Sequence, residues 1–299
     1  KCEEGKEATL TATPAEGYEF VNWTIAGEEV ADEATYTFVV EANVELVANF
    51  KKHETTINIE PGNGKLSGAI LTAFPGDTII LADGEYTEEW SFALNKAGVI
   101  VKAAEGAKPV IKASSYMQHY ATITFIGITF DGQNTAEYTV YSYENTSKNL
   151  TFKDCEFTGY TYYNICQSSS SHVDSLIIDD CLFEDNGYAA IYYTNPASGV
   201  ITCSYAKITN TTIYNVGDPN HETGIIDIRE GVSGANENEI IIDHVTIYDF
   251  KNPAGYGAIM PYKSGNVVVS NSIVMNPETT SSYAFRVYNG VKIQNTLYY

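Results

Sequence analysis

The 299-residue sequence predicts an all-β protein, a right-handed parallel β-helix (solenoid) with a small β-module ahead of it. A ten-residue unit carries the prediction. It is first legible at Ile123 to Gly132 (ITFIGITFDG) and returns as LTFKDCEFTG from Leu150, LIIDDCLFED from Leu176 and AKITNTTIYN from Ala206. It recurs again as IIIDHVTIYD from Ile240, VVVSNSIVMN from Val267 and VKIQNTLYY from Val291, making seven rows. Measured at the fifth position, from Gly127 through Asp154, Asp180, Asn210, His244 and Asn271 to Asn295, the steps run between 24 and 34 residues, the period of a solenoid. Positions one and three are nearly all aliphatic or Phe, position five is mostly Asp or Asn, and positions six and eight return to buried types such as Cys155, Phe157, Cys181 and Phe183.

Each row therefore reads as strand, tight bend, strand. Alternation with period two is the strand signal, and a small polar residue between two apolar runs marks the bend. Rows one turn apart lie parallel at about 4.8 Å and bury together a core that no single row could bury. Tyr299 falls inside a row, and an open solenoid end exposes strand edges, so the native chain is expected to continue.

Residues 1–52 follow a different pattern, and 53–299 form the expected helix domain. Three strands are expected in the first part, Ala8 to Ala12, Tyr36 to Val40 and Val44 to Phe50, separated by Gly, Pro, Asn and acidic turns. Trp23 and Tyr18 are assigned to the core of this module rather than to a sugar platform. The spacing of Leu10, Thr11, Ala12, Pro14, Gly17, Tyr18, Phe20 and Trp23, closing on Leu46, Ala48 and Phe50, resembles the divergent internalin-type B-repeat of bacterial cell-surface proteins. That family's repeat opens with a further strand upstream, so the resemblance implies that residue 1 is not the natural start and that Cys2 is not a lipidated terminus.

Charge and cysteine content exclude several partners. With 17 basic and 38 acidic residues the net charge is -21, which repels nucleic acid and anionic membranes. No apolar run is long enough to span a bilayer, and there is no signal peptide, so an exported protein has its address outside this sequence. The five cysteines form no disulfide framework and no zinc spacing; Cys155 and Cys181 occupy the same inward position on successive rows and are expected as stacked thiols, with a bridge left open.

PGDTIILADGEY from Pro75, with Asp77, Gly84 and Tyr86 at fixed offsets, is similar to the opening of pectate-lyase-like β-helices, in particular the branch holding chondroitinase-B-like and alginate lyases. With the seven rows the resemblance covers roughly residues 57–299. It implies the fold more strongly than any activity.

On such a solenoid function has to use outward side chains. Aligning the segments ahead of the rows stacks Ala189 to Tyr193 on Ile225 to Arg229 two rows later, then on Ala258 to Tyr262 and Ala284 to Tyr288, with the register open by a residue or two. If Ile226, Ile259 and Phe285 point in, then Asp227, Met260 and Arg286 point out, beside Arg229, Tyr262 and Tyr288. This face collects both arginines of the sequence and Lys263. A lyase acting on uronates needs a base for the proton beside the carboxylate and a cation to neutralise that carboxylate. In the chondroitinase-B-like branch a Lys and an Arg one row later do the proton work beside a calcium ion. The resemblance of YKSGNVVVSN to the Lys-bearing segment implies Lys263 as base and Arg286 as partner, and a second alignment puts Arg229 at the base position. Tyr256, Gly257 and Ala258 stand where that family has its carboxylate ligands, so no cofactor is predicted, with calcium left open as the alternative the resemblance implies.

A glycosidase pair is not predicted: Asp179 and Asp180 are assigned to the bend, and His221, near Asp218 and Glu222, to an exposed loop. The 23 tyrosines cluster at Tyr138-Tyr141-Tyr143, Tyr160-Tyr162-Tyr163 and Tyr192-Tyr193 and suggest an outward aromatic strip suited to a glycan. The expected protein is thus a secreted or surface bacterial protein that engages a polysaccharide. Lys263, Arg286 and Arg229 are its candidate catalytic residues, and Tyr192, Tyr193, Asp227, Tyr262 and Tyr288 its candidate binding residues. Polysaccharide lyase and structural stalk stand as alternatives.

Overall fold

The computed structural model describes residues 3–298 except 16, 54, 90–92, 95–97, 120–121, 143–146, 168–171, 195–202, 230–234, 263, 279–281 and 288–290. For 93, 94, 119, 147, 148, 235–237, 262, 264 and 265 it describes the backbone. The chain divides into two compact units, Lys1–Thr55 with Phe74–Asp77, and Thr56–Ala73 with Thr78–Tyr299.

In the first unit the strand Tyr18–Ile25 lies between Glu28–Ala31 and Leu46–Lys52 in one antiparallel sheet, and Glu7–Thr11 pairs with Thr35–Val39 in another. The sequence pattern finds three of these five strands, each displaced by one or two residues. It misses Tyr18–Ile25 because the pairing slips between Phe20 and Asn22, which breaks the alternation. Ala26 and Gly27, both at positive φ, close the hairpin to Glu28–Ala31. Trp23 is buried and packs on Phe20 at 5.9 Å, as a core aromatic should, whereas Tyr18 is exposed.

The second unit is a parallel β-solenoid. Its first sheet has ten strands from Thr56–Ile59 to Val291–Gln294, its second ten from Gly62–Asn63 to Leu297–Tyr298, and its third eight from Ala93–Leu94 to Tyr283–Phe285. The seven rows stack in the expected register: Ile123, Leu150, Leu176, Ala206, Ile240, Val267 and Val291 are successive partners in the first sheet. Three further rungs precede them, beginning at Thr56, Thr78 and Val99. A helix, Lys65–Thr72, buries Leu66, Ala69 and Ile70. The buried Glu88 carboxylate accepts the N–H groups of Leu66 and Ser67 at 2.9 and 3.2 Å, satisfying donors that the first turn leaves free.

The bend is a backbone feature. Gly127, Asp154, Asp180, Asn210, His244, Asn271 and Asn295 all have φ between 46° and 70°, the left-handed region that Gly, Asn and Asp enter at least cost. The tenth position repeats the device at Gly159, Asp185, Asn215, Asp249 and Asn276. Side chains knit these corners together. Asp179 accepts the Thr209 hydroxyl at 2.6 Å and the Asn210 amide at 2.9 Å, and Asp243 accepts Ser270 at 2.6 Å and Asn271 at 2.8 Å. Asp179 and Asp180 therefore do serve the bend.

Inside, the eighth-position rings form a ladder: Phe130 and Phe157 stack at 5.2 Å, Phe157 and Phe183 at 4.4 Å. Cys155 and Cys181 are buried free thiols, and burial pushes the Cys155 thiol well above its ordinary value. In the PGDTIILADGEY segment Tyr86 is fully buried and its hydroxyl donates to the carbonyls of Ile59 and Ala82 at 3.0 and 3.1 Å. A Cβ on Gly84, at φ +133°, would lie 2.6 Å from Pro61.

Two outcomes follow. Phe157→Ala should cost about 3–5 kcal/mol in denaturant unfolding, because it opens a cavity in the stacked ladder, whereas Tyr214→Ala, at a side chain 39% exposed, should cost less than about 1 kcal/mol. The hydrogen bonds from Thr209 and Asn210, and from Ser270 and His244, hold Asp179 and Asp243 below the ordinary carboxylate range. Their contribution to stability is complete above the unfolded-state value of about 4 and is lost as pH falls through the lower folded value. Asp179→Asn with Asp243→Asn should lower Tm at neutral pH, and in thermal melts the gap should narrow as the pH falls below about 4.

Candidate functional site

The outer face of the third sheet gathers the groups with the most chemistry. Its strands Tyr163–Gln167, Ala189–Thr194, Ile226–Arg229, Gly257–Tyr262 and Tyr283–Phe285 are direct neighbours. Ile191, Ile226, Ile259 and Phe285 stack in one column, and Tyr192, Asp227 and Met260 in the next. The alignment read from the sequence is therefore one residue out between Ile191 and Ile226, and the two segments are adjacent rather than two rows apart. From Asp227 onward it holds. Gly257 permits the last step: a Cβ there would lie 2.4 Å from the Arg286 backbone nitrogen.

Tyrosines fill one end of the face. Tyr163 and Tyr192 stack at 4.1 Å, 6° from parallel, and Tyr138, Tyr141, Tyr162 and Tyr188 pack around them over the buried Cys166 and Ala189. Burial, the largest influence, pushes the Tyr138 and Tyr163 hydroxyls upward, so they stay neutral donors. Tyr193, expected to bind ligand, is fully buried in the main core, because Ile191 and Tyr193 take the inward positions on either side of Tyr192. It is withdrawn from the site.

The other end is cationic. Asp227 was expected to face a ligand, but it is fully buried beneath Arg229, which grips it through Nε at 2.7 Å and Nη2 at 2.5 Å. The same carboxylate accepts the Thr223 hydroxyl at 3.1 Å and the Gly224 N–H at 3.0 Å. Burial pushes the Asp227 carboxyl upward against the pull of Arg229, while Arg229, despite the cost of its own burial, is held more firmly protonated by Asp227. A guanidinium so fixed does not serve as the base that one sequence alignment proposed. Arg229 also donates to the Glu222 carbonyl at 3.2 Å, so the pair anchors the connector ahead of its strand.

Tyr256 joins the two arginines. Its ring centroid lies 4.8 Å from Cζ of Arg286 and 5.9 Å from Cζ of Arg229, and its hydroxyl donates to Glu222 Oε2 at 3.0 Å. Arg286 is exposed, and among the described residues no carboxylate is paired with it. Lys263 and Tyr288 lie outside the described residues; the backbone of Tyr262 pairs with Arg229, and its side chain is likewise outside them. His221 is packed rather than free. Its ring stacks on Tyr188 at 3.8 Å and its Nε2 lies 2.7 Å from the Tyr163 hydroxyl.

Sequence reasoning missed Tyr188 and Tyr256 as site residues, although a signal is present. Gly187-Tyr188-Ala189-Ala190-Ile191 and Gly255-Tyr256-Gly257-Ala258-Ile259 share one pattern, which sets each tyrosine just before a strand of the third sheet. Both Asp227 oxygens are taken by Arg229, and among the described residues no cluster of three His, Cys, Asp or Glu is found. A groove of about 730 Å³ lies elsewhere, along the corners at Gly127, Asp154, Asp180 and Asn210.

Comparison with known proteins bears on both units. Residues 1–54 match the divergent InlB B-repeat domain family. No curated protein matches the chain. Among solved structures the chain is similar to the PL6 family alginate lyase AlyGC, with TM-score 0.57 and 14% identity over 82% of this chain and 40% of that one. It is also similar to an arginine-to-alanine variant of AlyGC, with TM-score 0.53 and 17% identity over 82% of this chain and 37% of that one. The chain spans less than half the length of these relatives, and at such identity the likeness establishes a shared fold, the parallel β-solenoid.

Proposed function

We propose that this chain engages a polysaccharide carrying carboxylate groups through the outer face of the third sheet, in a bacterial protein that works at the cell surface or outside the cell. The observation that carries the reading is Arg286: an exposed guanidinium whose Cζ lies 4.8 Å from the Tyr256 ring centroid, without a carboxylate partner among the described residues, in a protein of net charge -21. Acidic groups are abundant enough to neutralise it, so an arginine kept apart from them on an aromatic support suits an external anion. The tyrosines at the other end of the same face offer apolar ring faces and neutral hydroxyls, as a sugar chain requires. The solved structures of similar fold are alginate lyases, which supports a glycan as ligand. The B-repeat match supports a surface setting, and no helix among the described residues is long and apolar enough to cross a membrane.

A lyase reading stands second. Arg286 would neutralise the carboxylate during proton removal beside it, and Lys263 would take the proton. Arg229 supports this reading as an electrostatic neighbour and not as a base.

The test is calorimetric titration of the full chain with alginate oligosaccharides. Arg286→Ala should weaken binding about tenfold, and Arg286→Lys should restore part of it, since lysine keeps the charge without the planar fork. Binding unchanged in Arg286→Ala would remove the proposal. Growth of ultraviolet absorbance from an unsaturated uronate product, lost in Lys263→Ala, would promote the lyase reading over simple binding.

A further inference from the structure

The tyrosine end of the face already carries a ring of the chain's own. The His221 imidazole lies 3.8 Å from Tyr188, ring centre to ring centre, and 11° from parallel. The Tyr163 hydroxyl meets its Nε2 at 2.7 Å, donating to it when the neutral ring carries its proton on Nδ1. Tyr163 is itself backed by Tyr192 at 4.1 Å, so the support beneath this contact is rigid. A flat ring parallel to an aromatic face, with a hydroxyl at its edge, is the arrangement that a pyranose adopts when it stacks and hydrogen-bonds.

The connector bearing His221 is pinned on both sides. Upstream, the Gly217 N–H donates to the Gly187 carbonyl at 2.7 Å; downstream, the Gly224 N–H donates to Asp227 at 3.0 Å. Between them the His221 N–H donates to the Asp218 carbonyl at 3.1 Å, the Thr223 N–H donates to the His221 carbonyl at 2.8 Å, and Glu222 is held by the Tyr256 hydroxyl. The backbone has little freedom, but the imidazole can leave by side-chain rotation, which breaks one hydrogen bond and one stacking contact.

We propose that Tyr163 and Tyr188 form a stacking subsite for one pyranose ring, and that the His221 imidazole is a self-cap which the incoming sugar displaces. The inference rests on the glycan-binding reading of this face and adds a competitor to it. While the cap occupies the subsite, only the uncapped fraction of molecules binds at full strength, and apparent affinity falls by that fraction. Deleting the imidazole frees the subsite permanently. His221→Ala should therefore bind more tightly than the unaltered protein, which is the reverse of what a ligand-contacting histidine would give.

The experiment is titration of the full chain and of His221→Ala, both verified as folded by circular dichroism, with alginate oligosaccharides and with neutral cello-oligosaccharides. Nitrogen NMR of the five histidine rings in the unaltered protein accompanies it. The expected result is a three- to tenfold gain in affinity in His221→Ala, on the order of the contacts released, and loss of the hydrogen-bonded Nε2 signal of His221 as ligand is added. Tyr188→Ala should weaken binding whether or not the cap is present. Affinity that is equal or lower in His221→Ala, with an unmoved His221 signal and binding that still depends on Arg286, overturns the cap and leaves the glycan face standing. No binding of either oligosaccharide by either protein overturns both.

Discussion

The structure depends on one backbone constraint, the left-handed residue at the fifth position of every row. It turns the first sheet into the second after the same number of residues, so each row begins again in register with the one before it. Gly, Asn and Asp tolerate this conformation, and Asn and Asp can also bind their neighbours, as Asn210 does with Asp179 and Asn271 with Asp243. His244 is the exception in size, and it is stabilised locally by a 2.7 Å contact from Nδ1 to Asp243. Once the corner is set, positions one, three, six and eight point inward and the Phe and Ile ladders follow.

This explains how far the sequence could be read. Where the corner is one residue long the pattern is visible, and seven rows and their register follow from it. The earlier rungs, read as β-helix from the PGDTIILADGEY segment, lie outside the ten-residue unit because their corners differ in length: Ala103 and Val110 are separated by a loop, and the helix Lys65–Thr72 intervenes between Asn63 and Thr78. The third sheet was harder again. Its strands follow connectors of variable length, so no fixed offset from the corner locates them, and the step from Ile191 to Ile226 was placed one residue out. That slip decides Tyr193, since one residue along a strand exchanges the inner and outer faces.

At the site, residue type was legible and partnership was not. Both arginines reach the outer face of the third sheet, as the sequence indicates, but their roles diverge. Arg229 is consumed by the buried Asp227 and organises the connector through Thr223, Gly224 and Glu222, while Arg286 is left available beside Tyr256. A buried ion pair of this kind contributes little net stability, and removing one partner strands the other charge. Its value here is positional: it sets His221 and Glu222 on either side of one short connector, His221 toward the tyrosines and Glu222 toward Tyr256. The same solenoid repetition that hides the core thus lines up an aromatic end and a cationic end along one face.

The central claim is that ligand meets this face and no other. Hydrogen–deuterium exchange with and without alginate oligosaccharide tests it most directly. The account predicts slower exchange in the segments around Tyr188–Thr194, Asp218–Arg229 and Tyr256–Tyr262, with the corners at Asp154, Asp180 and Asn210 unchanged. Protection at those corners, or in the N-terminal unit, with the third sheet unaffected, would contradict it.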